Sequence, residues 1–326
     1  MLSFIGNGLS RPECVLAHQS GLLFAPCWKG NGGVSVIAPS GNTTHVIAAD
    51  TAEPLKPNGI ALESGGSFLL AHLGEQRGAI FRLFPDGRTE LITDEAEGQP
   101  MPPANFVTLD RQGRIWITVS TRVTPRADDY RSSASSGFIA VHENGRTTIK
   151  ADGLAYTNEC AFSADESTMY VNETFARRTS AFDVAESGDL DNKRQVASFG
   201  VGTFPDGVAL DANGGFWISS IISNRVIRVS KSRSEIFLED SDPDHLDWVE
   251  AAFEDGTLGR PHLDKAVSSR LQNISNIAFG GPDLKTAYLG NLLGDQIASF
   301  KSPVAGQQLP HWDVELGPLA DYLETA

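Results

Sequence analysis

The 326-residue chain contains only three cysteines, and their spacing matches no thiol motif. Cys14, Cys27 and Cys160 form no CxxC pair and are odd in number, which argues against a disulfide framework. None of them lies in a recognisable nucleophile motif, so we expect buried, inert thiols. This cysteine usage favours a reducing compartment, and the sequence predicts a cytoplasmic protein.

Basic residues are also scarce, and long apolar runs are missing. The chain has 26 Lys and Arg against 41 Asp and Glu, a formal charge of −15, which repels nucleic-acid phosphates and anionic membrane surfaces. No apolar stretch approaches the length needed to cross a bilayer, and residues 1–10 lack the basic region of a signal peptide. The sequence therefore predicts no nucleic-acid partner, no membrane insertion and no secretion.

Turn-forming residues are abundant, with 32 Gly and 17 Pro. They separate short β-rich runs that repeat along the chain. Six segments open in the same way and can be aligned on one position, which is occupied by Glu13, Asn58, Asn105, Asn158, Asp206 and Ser275. These six anchor residues are 45 to 53 positions apart, except for a last interval of 69.

Most repeats contain several β-rich runs separated by turn signals, which indicates a four-stranded antiparallel meander. Repeats of this length are typical of propeller blades. The sequence thus predicts an all-β fold, with one six-bladed β-propeller domain of four-stranded antiparallel blades over residues 1–326. We expect the chain termini to close the ring, with residues 311–316 supplying a strand to a terminal blade. The long last interval indicates an acidic insertion at about 239–265, with a short helical turn at 248–253.

The anchor residues are expected to form a site, because the first strand of each propeller blade is innermost. The residue just before that strand then lies at one mouth of the central channel, and the six anchors converge there. Five of them offer mainly oxygen acceptors. Ca²⁺ binds six to eight oxygen ligands, and the carboxylates of Glu13 and Asp206 would neutralise it. No cluster of His or Cys accompanies the anchors, which argues against structural zinc.

Several motifs resemble the regucalcin and gluconolactonase group of six-bladed propellers. They are residues 109–116 (LDRQGRIW), 158–163, 204–207 (FPDG) and 277–283 (IAFGGPD), within a similarity that runs from Glu13 to Phe300. The resemblance implies a divalent metal held by Glu13, Asn158 and Asp206, with Asn105 completing the site directly or through water and substrate. Ca²⁺ is the expected ion, with Zn²⁺, Mg²⁺ and Mn²⁺ as alternatives.

The third anchor departs from that group, which often has Arg-x-Asn-Asp where this chain reads Pro-Ala-Asn-Phe at 103–106. Phe106 is expected to make one wall of the pocket apolar. Glu159, on the next blade, is expected to supply an acidic group in place of the Asp that this motif lacks. Arg177 and Arg178 either replace the missing arginine or pair with Glu173 or Asp183. The loop 120–136 is either a lid over the mouth or a mobile segment, and His72 is expected to be structural.

Metal-assisted hydrolysis of a lactone or a similar small ester is the leading functional hypothesis. Asp206 is the candidate ligand and general base, and Glu159 is the second candidate base. Asn105, Phe106 and Asn58 are the candidate substrate-binding residues. Two alternatives remain open: hydrolysis of a phosphotriester or aryl ester at the same metal, and a non-catalytic propeller that binds calcium or a ligand.

Overall fold

The computed structural model describes residues 1–231 and 233–323. Its strands form six four-stranded antiparallel sheets and one short two-stranded ribbon, Glu95–Ala96 with Gln99–Pro100. The six sheets follow one another along the chain as the blades of a propeller, so the predicted six-bladed fold is confirmed.

Within blades 1 to 5 the four strands pair in chain order, and in blade 6 the first three do so. Blade 1 contains Leu16–Ala17, Leu23–Cys27, Gly33–Ile37 and Thr43–Ile47. Blade 2 contains Pro57–Leu62, Phe68–His72, Ala79–Leu83 and Thr89–Thr93. Blade 3 contains Ala104–Leu109, Ile115–Val119, Gly137–Glu143 and Arg146–Leu154. Blade 4 contains Thr157–Phe162, Thr168–Glu173, Arg178–Val184 and Leu190–Ser198. Blade 5 contains Phe204–Leu210, Phe216–Ile221, Arg225–Ser230 and Arg233–Glu239. Blade 6 contains Ile274–Gly280, Thr286–Asn291 and Ile297–Lys301.

Burial decreases from the first to the fourth strand of a blade. In blade 5, every residue of Phe204–Leu210 is buried, whereas Arg233–Glu239 is almost entirely exposed. The first strand therefore lines the channel, and its apolar residues pack between neighbouring blades, while the polar fourth strand faces solvent. This gradient places the anchor residues around the channel axis. Glu13 precedes its first strand as expected, whereas the other five anchors lie within theirs, near the start.

The ring is closed by the N-terminal segment. Ser3–Ile5 pairs antiparallel with 297–299 and becomes the outer strand of blade 6. The prediction of a strand at 311–316 is wrong. Ser3–Ile5 already pairs with the open edge of blade 6, so no unpaired strand is left there for the tail to join. The tail instead runs along the propeller to the 3₁₀ helix Gly317–Leu323, and its Leu319 is buried against blades 1 and 2.

A β-bulge interrupts the first strand of blades 2 to 6 at the anchor position. A bulge adds one residue to one strand of a pair and changes the direction of its side chains. Two consecutive residues, such as Asn158 and Glu159, consequently both reach the channel. Gly207 follows the anchor of blade 5. A Cβ at this position would lie 2.6 Å from the Cα of Asn276, too close for any residue other than glycine without a shift of the backbone.

The acidic insertion is more helical than predicted. It forms the α-helices Pro243–Glu254 and Arg260–Asp264 rather than one short turn. Asp242 caps the longer helix by accepting from the backbone N–H groups of Asp244 and His245. Its buried face, which includes Val249, joins the aromatic cluster beside the anchors. The insertion is thus packed onto blades 4 and 5.

No helix in the described ranges is long and apolar enough to cross a membrane. All three cysteines are free and buried, as the sequence predicted.

Candidate functional site

The anchor residues of the first four blades form one chain of hydrogen bonds at the channel mouth. Asn58 Nδ2 donates to Glu13 Oε1 at 2.8 Å and to Asn105 Oδ1 at 3.2 Å. Asn105 Nδ2 donates to Asn158 Oδ1 at 2.5 Å. These side chains and that of Asp206 are each at most 6% exposed. The structure therefore brings together the anchors that the repeat predicted to converge, and we call this end of the channel the anchor mouth.

Two carboxylate oxygens at the anchor mouth lack a partner. Glu13 Oε2 and Asp206 Oδ1 are buried and accept no hydrogen bond. Burial raises the pKa of Glu13 to about 7, although Arg11 opposes the shift. Burial, together with the charge of Glu13, raises the pKa of Asp206 well above its ordinary value. Two such carboxylates are costly to keep charged without a compensating cation.

The orientation of Asn158 is fixed from behind. Its Nδ2 donates to Thr174 Oγ1 at 3.1 Å, and that hydroxyl donates to the carbonyl of Pro205 at 2.9 Å. The Asn158 Oδ1 is consequently directed at its neighbouring anchors. Ser275, the sixth anchor, plays a different part, because its hydroxyl donates to the backbone carbonyl of Glu13 at 2.6 Å and ties blade 6 to blade 1.

The residues present fit a divalent cation. The two unpartnered carboxylate oxygens and the amide oxygen of Asn158 are the hard donors that Ca²⁺ or Mg²⁺ prefers. No group of three or more His, Cys, Asp and Glu side chains suited to a metal occurs in residues 1–231 and 233–323. A site at the anchor mouth would use only two carboxylates and complete its coordination with amide oxygens and water.

Glu159 points away from the anchor mouth. Its two carboxylate oxygens accept from Asn276 Nδ2 at 2.9 and 3.0 Å, and Oε2 also accepts from the backbone N–H of Val208 at 3.2 Å. Burial raises its pKa well above the ordinary value, and the charges of Glu13 and Asp206 add to this. The side chain is 1% exposed. Glu159 therefore braces blade 4 against blades 5 and 6.

A cavity of about 880 Å³ opens at the other end of the channel, and we call it the far cavity. It is lined by the ends of the first strands and by tail residues 307–311 and 313–314, and none of the anchors lines it. Phe106 and Glu159 both border this space. The structure thus places Phe106 on the far cavity rather than on the wall of the anchor mouth that the sequence predicted.

The loop 120–136 is folded onto the anchor mouth. It contains the 3₁₀ helix Arg126–Asp129, and Tyr130 is buried against Tyr156 and Phe175. Arg126 Nη2 donates to Asn105 Oδ1 at 3.1 Å and to Ser120 Oγ at 3.0 Å. Of the two alternatives from the sequence, the packed arrangement agrees with a lid.

A second arginine reaches the anchors from the other side. Arg11 precedes blade 1 with a φ of 53° in the left-handed region. Its guanidinium lies 4.6 Å from the ring centroid of Trp28, and its Nη2 donates to Asn58 Oδ1 at 3.4 Å. The Nε atoms of Arg11 and Arg126 are both buried without a hydrogen-bond partner.

The arginines that the sequence singled out are structural. Arg178 pairs with Glu173 at 2.6 Å, as one alternative predicted. Arg177 pairs at 2.8 Å with Glu250 of the insertion, which neither alternative named. His72 Nδ1 accepts from the backbone N–H of Lys56 at 3.0 Å, in keeping with the structural role expected for it.

Sequence reasoning missed Arg11, Arg126 and Asn276. The first two carry no repeat signal, because they lie outside the aligned positions. Asn276 directly follows the anchor Ser275. The two adjacent polar residues at this position were the sequence feature that could have identified Asn276.

Comparison with known proteins agrees with this architecture. Residues 12–238 match the model of the SMP-30/Gluconolactonase/LRE-like region. The chain is 24% identical to 6-deoxy-6-sulfogluconolactonase of Pseudomonas putida, covering 77% of this chain and 71% of that protein. It is 22% identical to regucalcin of Xenopus laevis, covering 85% of each.

Other relatives are longer than the region they share. The chain is 26% identical to strictosidine synthase-like 4 of Arabidopsis thaliana over 67% of this chain, and spans 59% of that protein. A solved gluconolactonase from Xanthomonas campestris superposes with a TM-score of 0.66 at 21% identity, covering 93% of this chain and 89% of that one. At this identity the structural likeness establishes the fold.

Proposed function

The chain belongs to the SMP-30/gluconolactonase/LRE-like family, and we propose that it hydrolyses a lactone with the help of a divalent cation, most simply Ca²⁺. Lactone hydrolysis is the activity named for two of the similar proteins. The observation that carries the metal dependence is the pair of unpartnered, buried oxygens on Glu13 and Asp206.

Glu13, Asn158 and Asp206 would hold the cation. When bound, a divalent cation polarises the ester carbonyl, lowers the pKa of water and stabilises developing negative charge. Asn105 is already engaged with Asn58 and Arg126, so we assign it to orienting the substrate at the edge of the ion site.

Asp206 is the better placed of the two candidate bases. Its Oδ1 is free of hydrogen bonds, whereas both oxygens of Glu159 are already occupied and border the far cavity. Asp206 would accept a proton from water as that water adds to the carbonyl carbon. The acyl–oxygen bond then breaks, and the products are a carboxylate, a hydroxyl group and one released proton.

The released proton gives the assay. A panel of lactones, aryl esters and phosphotriesters, followed by proton release in weak buffer, is expected to show turnover of lactones with CaCl₂ and its loss after EDTA treatment. Glu13→Gln and Asp206→Asn should lose both turnover and calorimetric Ca²⁺ binding. Glu53→Gln, which removes an exposed carboxylate that is not an anchor, is the control.

Full turnover by metal-free protein would contradict the cation's role. Turnover confined to aryl esters or phosphotriesters would show that these compounds, and not lactones, are the substrates. Ca²⁺ binding without any hydrolysis would identify a non-catalytic propeller.

A further inference from the structure

We propose that the lactone carries an oxyanion substituent, a carboxylate in the simplest case, and that Arg11 and Arg126 bind it. This inference rests on the proposed lactonase function and names the substrate class for the same site. Both arginines border the anchor mouth from elements outside the repeated strands.

The two guanidinium groups reach adjacent members of the hydrogen-bonded anchor chain. Arg11 donates to Oδ1 of Asn58, and Arg126 donates to Oδ1 of Asn105. Those two asparagines are themselves joined, since Asn58 Nδ2 donates to Asn105 Oδ1 at 3.2 Å. A group bound between the arginines would therefore lie directly beside the proposed ion site.

Among the described residues, neither arginine forms a salt bridge with a neighbouring acid. In the described part of the chain, no carboxylate oxygen lies within 4.0 Å of a nitrogen of Arg11 or Arg126. Burial lowers the pKa of Arg11, and the more distant charge of Glu13 opposes that shift, so the carboxylates that act on these arginines are those proposed to hold the cation. With those carboxylates engaged by a cation, each guanidinium would lack a close counter-ion, which an anionic ligand would supply.

Unused donors point to the same conclusion. The Nε–H groups of both Arg11 and Arg126 are buried and donate to nothing in the protein. Arginine recognises carboxylates best by donating through two nitrogens to two oxygens. In each residue an Nη2 holds an anchor asparagine while Nε stays free for a ligand.

The local charge also differs in sign from the whole chain. The protein carries −15, but at the anchor mouth a divalent cation would balance Glu13 and Asp206, leaving the charges of Arg11 and Arg126 in excess. An anionic ligand between the two arginines would balance their charge. The aromatic faces of Trp28 beneath Arg11 and Tyr156 near Arg126, at 4.6 and 5.6 Å, hold the guanidinium groups in place.

A pair of unreactive probes separates this inference from turnover. Tetrahydrofuran-2-carboxylate and its primary amide have the same ring and nearly the same size, contain no lactone carbonyl and differ in charge. In the presence of CaCl₂, calorimetry is expected to show the carboxylate binding at least about tenfold more tightly than the amide. Arg11→Gln and Arg126→Gln should each remove most of that difference while leaving amide binding unchanged.

Arg122→Gln is the matched control, because Arg122 lies in the same loop and pairs with the exposed Asp152. It removes the same charge from the protein without touching an anchor. If Arg122→Gln still binds the carboxylate more tightly than the amide, as wild type does, the preference does not arise from the net charge of the protein.

The outcomes separate the two proposals. Equal binding of the two probes, or a preference that survives both arginine variants, would overturn the anion site even if neutral lactones are hydrolysed. Tight carboxylate binding that depends on both arginines supports the anion site, whether or not the lactone panel shows turnover. Calorimetry on folded protein, checked by circular dichroism, excludes misfolding as the cause of a lost preference.

Discussion

Arg126 Nη2 donates to Asn105 Oδ1 at 3.1 Å, and this bond joins the loop 120–136 to the anchor chain. The same nitrogen donates to Ser120 at the end of the second strand of blade 3. Tyr130, four residues after Arg126, is buried against Tyr156, which directly precedes blade 4. The loop is thus attached to two blades, and Asn105 connects it to the proposed ion site.

Asn105→Ala is expected to lower kcat/KM for lactone hydrolysis by about tenfold or more. The change removes the acceptor of Arg126 and the donor to Asn158 Oδ1, so two groups beside the reacting atoms lose their orientation. Steady-state proton release measures the effect. Asn7→Ala, at an exposed position on the N-terminal segment, should retain wild-type kinetics, and equal kinetics in the two variants would contradict a role for Asn105.

Asp206→Asn is expected to stabilise the metal-free protein and to abolish stabilisation by Ca²⁺. Without a cation, the buried carboxylates of Glu13 and Asp206 repel each other, and an amide relieves that repulsion. With wild type, Ca²⁺ at 100 times its Kd should add about 2.7 kcal/mol to the free energy of unfolding. Urea denaturation with EDTA and with CaCl₂ measures both effects.

The control for this substitution is Asp191→Asn, which removes the same charge from an exposed position on blade 4. It should behave as wild type in both conditions. A lower stability of Asp206→Asn in EDTA, or a Ca²⁺ effect equal to that of wild type, would contradict the assignment of Asp206 as a ligand.

The blades and the convergence of the anchors were predictable because both follow from periodicity. A repeat of turns and apolar runs determines strand order, and strand order brings equivalent positions such as Asn58 and Asn105 to one axis. The bulges were not predictable in the same way, since alternation along a strand assigns Asn158 and Glu159 to opposite faces. Only the paired register reveals that both enter the channel.

Contacts between segments far apart in sequence escaped prediction for a different reason. Ser3–Ile5 pairs with a strand almost 300 positions away, and nothing in its three residues specifies that partner. Arg126 contacts Asn105 across a loop whose Ser-rich composition is equally compatible with a mobile segment. These contacts depend on the assembled ring rather than on local pattern.

Removal of residues 1–5 is expected to lower the free energy of unfolding and to promote self-association. The deletion exposes the edge of Ile297–Lys301, and an unpaired edge strand can pair with another chain. Urea denaturation and light scattering measure the two effects. Removal of residues 324–326 keeps Tyr322 and Leu323, which pack against the core, and leaves that edge paired, so it should not increase scattering. A truncated chain that stays monomeric and as stable as wild type would show that closure by Ser3–Ile5 contributes little.

Acid is expected to destabilise the protein partly through Glu173. Burial alone would raise the pKa of this carboxyl, but hydrogen bonds from Arg178, Ser180 and the backbone of Ala155 lower it to about 2. Because the pKa in the folded state lies below the ordinary value of 4.5, the charged form stabilises the fold at neutral pH by about 3 kcal/mol. That contribution is complete above about pH 5 and is lost as the pH falls from 4.5 toward 2.

Glu173→Gln isolates this contribution from the other carboxylates, because every other group titrates in both proteins. The variant is expected to be less stable than wild type at pH 7, and the difference in free energy of unfolding should shrink progressively between pH 5 and about pH 3. Urea denaturation of both proteins at several pH values in this range gives the difference directly. A difference in stability that stays constant from pH 7 to pH 3 would mean that the charge on Glu173 does not contribute to the fold.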